Sequence, residues 1–355
     1  MYGADAEVLV PSQPVTDKRK FKSQIDAIYA SGMTALYDGW SLGAEEVAKN
    51  SHSNSISRVL LLSDGQANRG LVDEDVIATH CQKMAEIGVS TSTYGLSGYF
   101  NENLMVGMAS AGQGQAHYGQ TAEDLLDPFQ EEFDLLEAIL SRRIRLRILP
   151  EKGVSFEILN GYSQDGEGRF ILPDLAFGAD VWALIQIKIN SKICSQQPET
   201  KLKILSAYID YLDHDGVDQR SETAKLIIDL CTREQFACLE LDETVKSRVT
   251  EVRAATLQEV AQVAARSENW AKVDQTMLAL AELGEENEWI KASVQRLKAY
   301  STRRQRESFS KETLYKSRKM KQRSVAKNED FFSSRSESGR PSYLRRKMEQ
   351  GKREL

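Results

Sequence analysis

The sequence lacks the features that define several protein classes. Its 355 residues include only four cysteines, at positions 81, 194, 231 and 238, which are too few and too scattered for a disulfide framework. We therefore expect reduced, buried thiols. No run of about eighteen apolar residues occurs, so no membrane-spanning helix is predicted. The first ten residues carry neither a basic cluster nor a long apolar stretch, so no secretory leader is predicted at Met1.

Histidine and the usual catalytic motifs are also scarce. The four histidines (His52, His80, His117 and His214) have no mutual metal-ligand spacing, which favours core or surface positions for them. Cys231 and Cys238 form no CxxC pair, and we expect them to be inert. The sequence shows neither a phosphate-binding GxxxxGK loop nor a GxGxxG turn after a strand. These absences argue against an enzyme.

Charge is abundant but unevenly distributed. Residues 301–355 contain 17 Lys and Arg against 7 Asp and Glu, whereas the preceding 300 residues contain 29 against 45. Few aliphatic residues follow position 306, which predicts a basic, disordered tail over residues 307–355. Solvated disorder is the simplest interpretation of this tail. Contact with nucleic acid or with an anionic membrane surface is the alternative.

The spacing of apolar residues predicts an α/β domain over residues 1–140. The segment Arg58–Ser63 contains a continuous apolar run, Val59–Leu62, as in buried parallel strands, and Val89–Leu96 is a second strand rich in β-branched residues. Leu9 and Val10 are predicted to end an earlier strand at Pro11. Amphipathic helices alternate with these strands, so the expected fold is a doubly wound, Rossmann-like parallel sheet.

The rest of the chain changes period twice. Over residues 141–235, about six segments alternate apolar and polar residues between Gly, Asp, Asn and Pro turns, which predicts an all-β sandwich. Residues 243–306 return to helical spacing and predict a helical hairpin region. The sequence therefore predicts four parts: an α/β domain, a sandwich, helices and a tail.

Two loops of the α/β domain carry the most specific local pattern. Thr34 follows a glycine and precedes a predicted helix, and Asp64 directly follows the apolar strand. In an open α/β sheet, such loops meet at the carboxyl ends of the strands. A hydroxyl and a carboxylate there suit Mg²⁺. The alternative is that Thr34 caps its helix and that Asp64 with Gly65 forms a simple turn.

These segments resemble the von Willebrand factor A (VWA) domain. The resemblance rests on the motifs SGMTALYDG at 31–39 and VLLLSDGQAN at 59–68, the strand end at 93–97, the helix start at 101–105 and the turn at 112–114. It covers residues 1–140, and the predicted order of the parts extends it to about residue 300, in the layout of bacterial multi-domain members. In that family, a metal-ion-dependent adhesion site is assembled from an Asp-x-Ser-x-Ser loop, a Thr and a later Asp. The resemblance assigns the last two positions to Thr34 and Asp64.

The chain departs from the family pattern at its start. No Asp-x-Ser-x-Ser precedes Thr34, so three of the five metal positions are absent from this sequence. We expect the chain to lack the first strand and helix of the domain, as an N-terminally truncated fragment would. With only Thr34 and Asp64, we expect Mg²⁺ binding to be weak or absent.

The resemblance implies binding and not turnover. The expected function is protein-protein interaction or scaffolding, with a protein partner that offers an acidic side chain. The alternative is a nucleotide- or phosphate-handling enzyme on a doubly wound sheet. Nucleic-acid contact is expected only through the basic tail, if at all, and the scattered cysteines favour a cytoplasmic location.

Overall fold

The structure is a computed structural model that describes residues 1–29, 32–52, 55–190, 201–285, 287–322 and 325–326. The chain divides into two units, Met1–Leu136 and Glu137–Leu355. Of the described helices, none combines the length and apolar character that crossing a membrane requires.

A parallel sheet organises the first unit. Its three strands lie in chain order: β1 (Ser57–Ser63), β2 (Val89–Leu96) and β3 (Gln113–Gly119). The helices of this part are α1 (Lys18–Asp26), α2 (Leu36–Lys49), α3 (Glu74–Glu86), α4 (Glu102–Ala111) and α5 (Leu126–Ala138). Helices α3 and α4 each connect two neighbouring parallel strands, as strands of this kind require.

Helices cover both faces of this sheet. On one face of β2, the Trp40 indole of α2 donates to Thr91 Oγ1 at 3.0 Å, and Thr93 Oγ1 donates to the Met105 carbonyl of α4 at 2.9 Å. On the opposite face, the Tyr94 ring stacks on Phe129 of α5 with centroids 4.0 Å apart. Alternate residues of one strand therefore contact different helical layers, which confirms the predicted doubly wound fold.

The strand expected before Pro11 is absent from the described structure. Residues 9 and 10 lie in bends, and the nearest pairing is an isolated antiparallel bridge between Tyr2 and Ala6. The prediction was wrong because two apolar residues ahead of a proline are too few to form a ladder, and proline itself donates no hydrogen bond.

The second unit begins with antiparallel strands. They are β4 (Ile139–Pro150), β5 (Val154–Ile158), β6 (Phe170–Ile171), β7 (Leu175–Ala176), β8 (Ala179–Asp180), β9 (Ile185–Ile189), β10 (Lys201–Leu212), β11 (Asp218–Arg220) and β12 (Ala224–Asp229). Strand β10 pairs with β4, β11 and β12, whereas β5 and β9 form a separate pair. Ile148 of β4 and Ile204 of β10 are buried in one core, against which Phe156 and Ile187 of the β5–β9 pair pack.

Helices complete this unit. They are α6 (Arg233–Ala237), α7 (Glu243–Arg266), α8 (Trp270–Leu283), α9 (Glu288–Thr302) and α10 (Arg306–Gln322), and the short strand β13 (Val325–Ala326) pairs with β8. The four longer helices share a core that includes Ala261, Leu280, Ile290 and Phe309.

Helix α10 corrects the predicted start of the disordered tail. Residues 306–322 are helical, and Phe309 and Met320 are fully buried among the other helices. The prediction of disorder was wrong because the buried face of α10 also contains the polar residues Ser310, Thr313 and Ser317. A high content of such residues is typical of a solvated segment. Residues 327–355 of the predicted tail lie outside the described part.

The expectation of buried cysteines holds only in part. Cys81 is buried, whereas Cys231 and Cys238 are exposed on either side of α6. Cys194 lies outside the described residues. The two exposed thiols lie in a segment that follows β12 and that contributes little to the core.

Candidate functional site

The first element of the candidate site is the end of β1. Every second residue of β1 is buried, including Val59 and Leu61. Burial of these side chains in the core fixes the strand up to its last residue, Ser63, which is itself buried. Ser63 Oγ then donates to the Gly65 carbonyl at 3.2 Å and turns the chain. This turn leaves Asp64 exposed at the carboxyl edge of the sheet.

The loop that contains Thr34 contacts this turn. The Thr34 amide donates to Asn68 Oδ1 at 2.9 Å, and the Asn68 amide donates back to the Thr34 carbonyl at 3.2 Å. A Cβ atom added to Gly65 would lie 3.1 Å from Thr34 Oγ1, so the glycine permits the close approach. The structure therefore brings the loops of Thr34 and Asp64 together at one edge.

The helix-cap interpretation of Thr34 is wrong. The N-cap of α2 is Ala35, and no side chain caps this helix. The Thr34 hydroxyl is thus directed to the Gly65 turn, while the two backbone groups of Thr34 are fixed by Asn68. Asn68 was not predicted from the sequence as part of this site. Its place at the end of the motif after β1 was the available signal.

The first seven residues border the same edge. The Tyr2 hydroxyl donates to the Leu62 carbonyl at 2.5 Å, the Ala35 amide donates to the Gly3 carbonyl at 2.8 Å, and Arg69 pairs with Asp5 at 2.8 Å. Burial raises the pKa of Tyr2 to about 12. The nearby Asp64 charge acts in the same direction, while a hydrogen bond with Ser63 opposes it.

The residues at this edge are a poor fit for Mg²⁺. Thr34 and Asp64 supply one neutral oxygen ligand and one carboxylate, whereas Mg²⁺ requires six oxygen ligands in octahedral geometry. Among the His, Cys, Asp and Glu side chains of the described ranges, only those of Asp213, His214 and Asp215 bring three potential ligand atoms within 4.8 Å of one another. That trio lies in a turn of the second unit, where the Asp213 carboxylate already accepts the amides of Asp215 and Val217. The assignment of Thr34 and Asp64 as metal ligands stays a prediction.

A buried ionic cluster lies below the edge, between the sheet and α5. Glu132 of α5 is 1% exposed, and its Oε1 accepts Arg58 Nη1 of β1 at 2.6 Å and Ser92 Oγ of β2 at 2.7 Å. His117 Nε2 of β3 lies 3.6 Å from Glu132 Oε2, an ion-pair distance longer than a hydrogen bond. One carboxylate therefore links α5 to all three parallel strands.

The charge of Glu132 is strongly favoured. Burial acts to raise its pKa, but His117, the Arg58 guanidinium and the Ser92 hydroxyl together outweigh burial and lower the pKa to about 2. The amino-acid sequence does not predict this cluster, because Arg58 and Glu132 are separated by 74 positions and neither belongs to a recognisable motif.

Comparison with known proteins shows which proteins this chain is similar to. No family model matches the chain. Protein YfbK of Escherichia coli, whose name describes it as uncharacterised, is 28% identical over 148 residues, which cover 41% of this chain and 26% of YfbK. The chain thus spans about a quarter of that relative.

Two solved structures share the fold. A von Willebrand factor type A protein from Catenulispora acidiphila matches with a TM-score of 0.60 and 12% identity, over 78% of this chain and 66% of that one. The ArnB paralog VWA2 from Sulfolobus acidocaldarius matches with a TM-score of 0.50 and 16% identity, over 83% and 70% of the two chains. At these identities the likeness shows fold alone. It confirms that this chain contains a VWA-type fold.

Proposed function

We propose that this chain is a protein-interaction or scaffolding module whose contact surface is the carboxyl edge of the parallel sheet. The observation that carries the proposal is the junction of the two loops, in which Thr34 and Asn68 exchange backbone and side-chain hydrogen bonds beside an exposed Asp64. A rigid edge that presents an exposed carboxylate and a hydroxyl suits recognition of a partner surface. The VWA-type fold supports the same function.

Metal is a minor contributor in this proposal. One carboxylate and one hydroxyl leave most of the coordination shell to water, so we expect weak Mg²⁺ binding or none. If an ion does bind, the expected partner offers an acidic side chain, because that group would complete the shell and neutralise the charge. Isothermal titration with MgCl₂ and MnCl₂ tests this expectation. Binding that saturates at micromolar metal concentration, and that is abolished by Asp64→Ala but retained by Asp26→Ala, would contradict the expectation.

The partner contact is tested by photocrosslinking in source cells. Gln66 is exposed at the proposed surface, whereas Glu86 is exposed at the end of α3, which lies toward the opposite edge of the sheet. A photoreactive residue at position 66 is expected to capture a specific protein. The same residue at position 86 is not, and adding Asp64→Ala should abolish capture at 66. Equal capture at both positions, or capture that is insensitive to Asp64, would refute the proposed surface.

We propose binding and not catalysis for the same edge. Thr34 is positioned through its backbone groups, and Asp64 is exposed to water, whereas a catalytic nucleophile or base needs a partner that fixes and activates its side chain. A cytoplasmic location belongs to this proposal, and fractionation of source cells checks it.

A further inference from the structure

Strand β12 of the antiparallel sheet carries exposed apolar side chains. Leu226 and Ile227 are 39% and 53% exposed, and five of the six residues of β12 are exposed. One edge of β12 pairs with β10, and no other strand of the described ranges pairs with it. A long edge strand with free backbone groups is a template for pairing with another chain.

The two faces of β12 differ in character. Leu226 and Ile228 lie opposite Leu205 and Leu202 of β10, which are both 5% exposed, so these residues belong to the core face. Lys225, Ile227 and Asp229 alternate with them and lie on the other face. The free edge therefore presents apolar residues on one face and a Lys-Ile-Asp row on the other.

The Lys-Ile-Asp row is complementary to itself. When two antiparallel copies of β12 are centred on Ile227, Lys225 of one copy lies opposite Asp229 of the other, and this pair occurs twice. In the same register, Leu226 lies opposite Ile228 on the core face, also twice. Directly opposed cross-strand residues have Cβ atoms roughly 4.5–5.5 Å apart, which allows both the ion pairs and the apolar pairs to form.

Four other strands of the described ranges, β1, β5, β9 and β11, do not offer this match. Strands β1, β5 and β9 each carry a single charged residue, so two copies of any one of them cannot oppose unlike charges. Strand β11 carries Asp218 and Arg220, but it has only three residues, and Arg220 already pairs with Asp210 at 2.6 Å. Within the described residues, the ion pair recorded for Asp229 is a long, exposed contact of 4.0 Å with Lys201.

We propose that β12 is a homodimerisation edge, at which two copies of this chain join antiparallel about Ile227 and continue the sheet across a two-fold axis. Such an interface is isologous and uses the single β12 edge of each copy, so assembly stops at the dimer. The side chains of Phe236, Leu239 and Leu241, which follow β12 in the chain, are also exposed. The proposal is independent of the function proposed for the parallel sheet.

Charge reversal tests the register. Wild-type chain in sedimentation equilibrium is expected to have about twice the 39.9 kDa mass of one chain. Lys225→Asp and Asp229→Lys each place like charges opposite one another, and each is expected to weaken dimerisation roughly tenfold or more. An equimolar mixture of the two variants should restore the dimer, because one copy then carries two acids and the other two bases. Lys188→Asp on β9 is the matched control and should remain dimeric.

Cysteine crosslinking gives a second readout. In a chain whose Cys194, Cys231 and Cys238 are replaced by serine, Ile227→Cys places two thiols opposite one another at the two-fold axis, within disulfide reach. Oxidation should yield a crosslinked dimer, whereas Val217→Cys, also exposed, should not. A monomeric wild type, or a dimer that is indifferent to both charge reversals, would overturn the proposal.

Discussion

At the scale of single residues, the buried Glu132 carboxylate holds three strands and a helix together. Removing one partner of a buried ion pair leaves an uncompensated charge, which costs about 3–5 kcal/mol. The Arg58 side chain is 4% exposed and would lose the carboxylate that its Nη1 contacts at 2.6 Å. The geometry of this cluster is therefore a direct determinant of the stability of the first unit.

We predict that Glu132→Gln lowers the free energy of unfolding of the first unit by about 3–5 kcal/mol, because Arg58 keeps its charge but loses the Glu132 carboxylate. The exposed Glu137→Gln on the same helix is the control and should change stability by less than about 0.5 kcal/mol. Urea titration followed by the ¹⁹F signal of fluorotryptophan at Trp40 reports on this unit. Equal stability of the two variants would show that Arg58 is solvated without Glu132.

The same carboxylate predicts an acid limit to stability. Its pKa falls from 4.5 to about 2 on folding, so the folded state binds its proton less readily than the unfolded state does. The stabilisation is therefore complete above about pH 4.5 and is lost as the pH falls toward 2. Repeating the Trp40 titration from pH 6 to pH 3 should show stability falling in the wild type and a shallower fall in Glu132→Gln. Parallel pH profiles would exclude Glu132 as the titrating group.

At the scale of secondary-structure elements, the predictions succeeded where period and burial agree. The apolar run of β1 and the β-branched residues of β2 predicted the parallel strands, since burial between two helical layers requires such residues. The predicted loops of Thr34 and Asp64 do meet, because carboxyl ends of parallel strands share an edge. The Arg58–Glu132 pair could not be predicted, because contacts between distant positions leave no local pattern, whereas Asn68 at least stands at the end of the motif after β1.

For helix α10 the prediction from composition was wrong, because a segment with many polar residues forms a buried helix. Phe309 is fully buried, and its ring meets Trp270 of α8 edge-on at 6.3 Å. In the same helix, the Thr313 hydroxyl donates a hydrogen bond to the Phe309 carbonyl at 2.5 Å. A buried polar residue is thereby satisfied within α10 and needs no hydrogen-bond partner on another helix. Local satisfaction of this kind allows a helix with few aliphatic residues to pack.

We predict that Phe309→Ala destabilises the helices of the second unit by about 3–5 kcal/mol, because it leaves a cavity beside Trp270. Phe236→Ala is the control, since that side chain is 69% exposed and should change stability by less than about 0.5 kcal/mol. The ¹⁹F signal of Trp270 during urea unfolding measures both variants. If the two variants unfold together with the wild type, α10 does not contribute to the core.

At the scale of the whole molecule, the basic C-terminal region separates into two parts. Of the 17 Lys and Arg after residue 300, nine precede residue 327. Several of these nine are engaged within the fold: Arg304 pairs with Asp274 at 2.8 Å, and Lys321 pairs with Glu259 at 2.8 Å. The segment 327–355 keeps eight Lys and Arg, which five Asp and Glu offset.

This division limits any contact with nucleic acid. If all eight basic residues of 327–355 neutralised phosphates of duplex DNA, a plot of log binding constant against log salt concentration would have a slope of about −7. The interspersed acidic residues compete with the phosphates for these basic residues. We therefore expect a slope shallower than about −4. Fluorescence anisotropy with a labelled duplex, measured from low to physiological salt, gives the slope. A chain that ends at Ala326 keeps α10 and should lose this binding while it retains its helical circular dichroism. If the shortened chain binds as tightly as the full one, the anion-binding surface lies on the folded units, and the positive charge of 327–355 has another role.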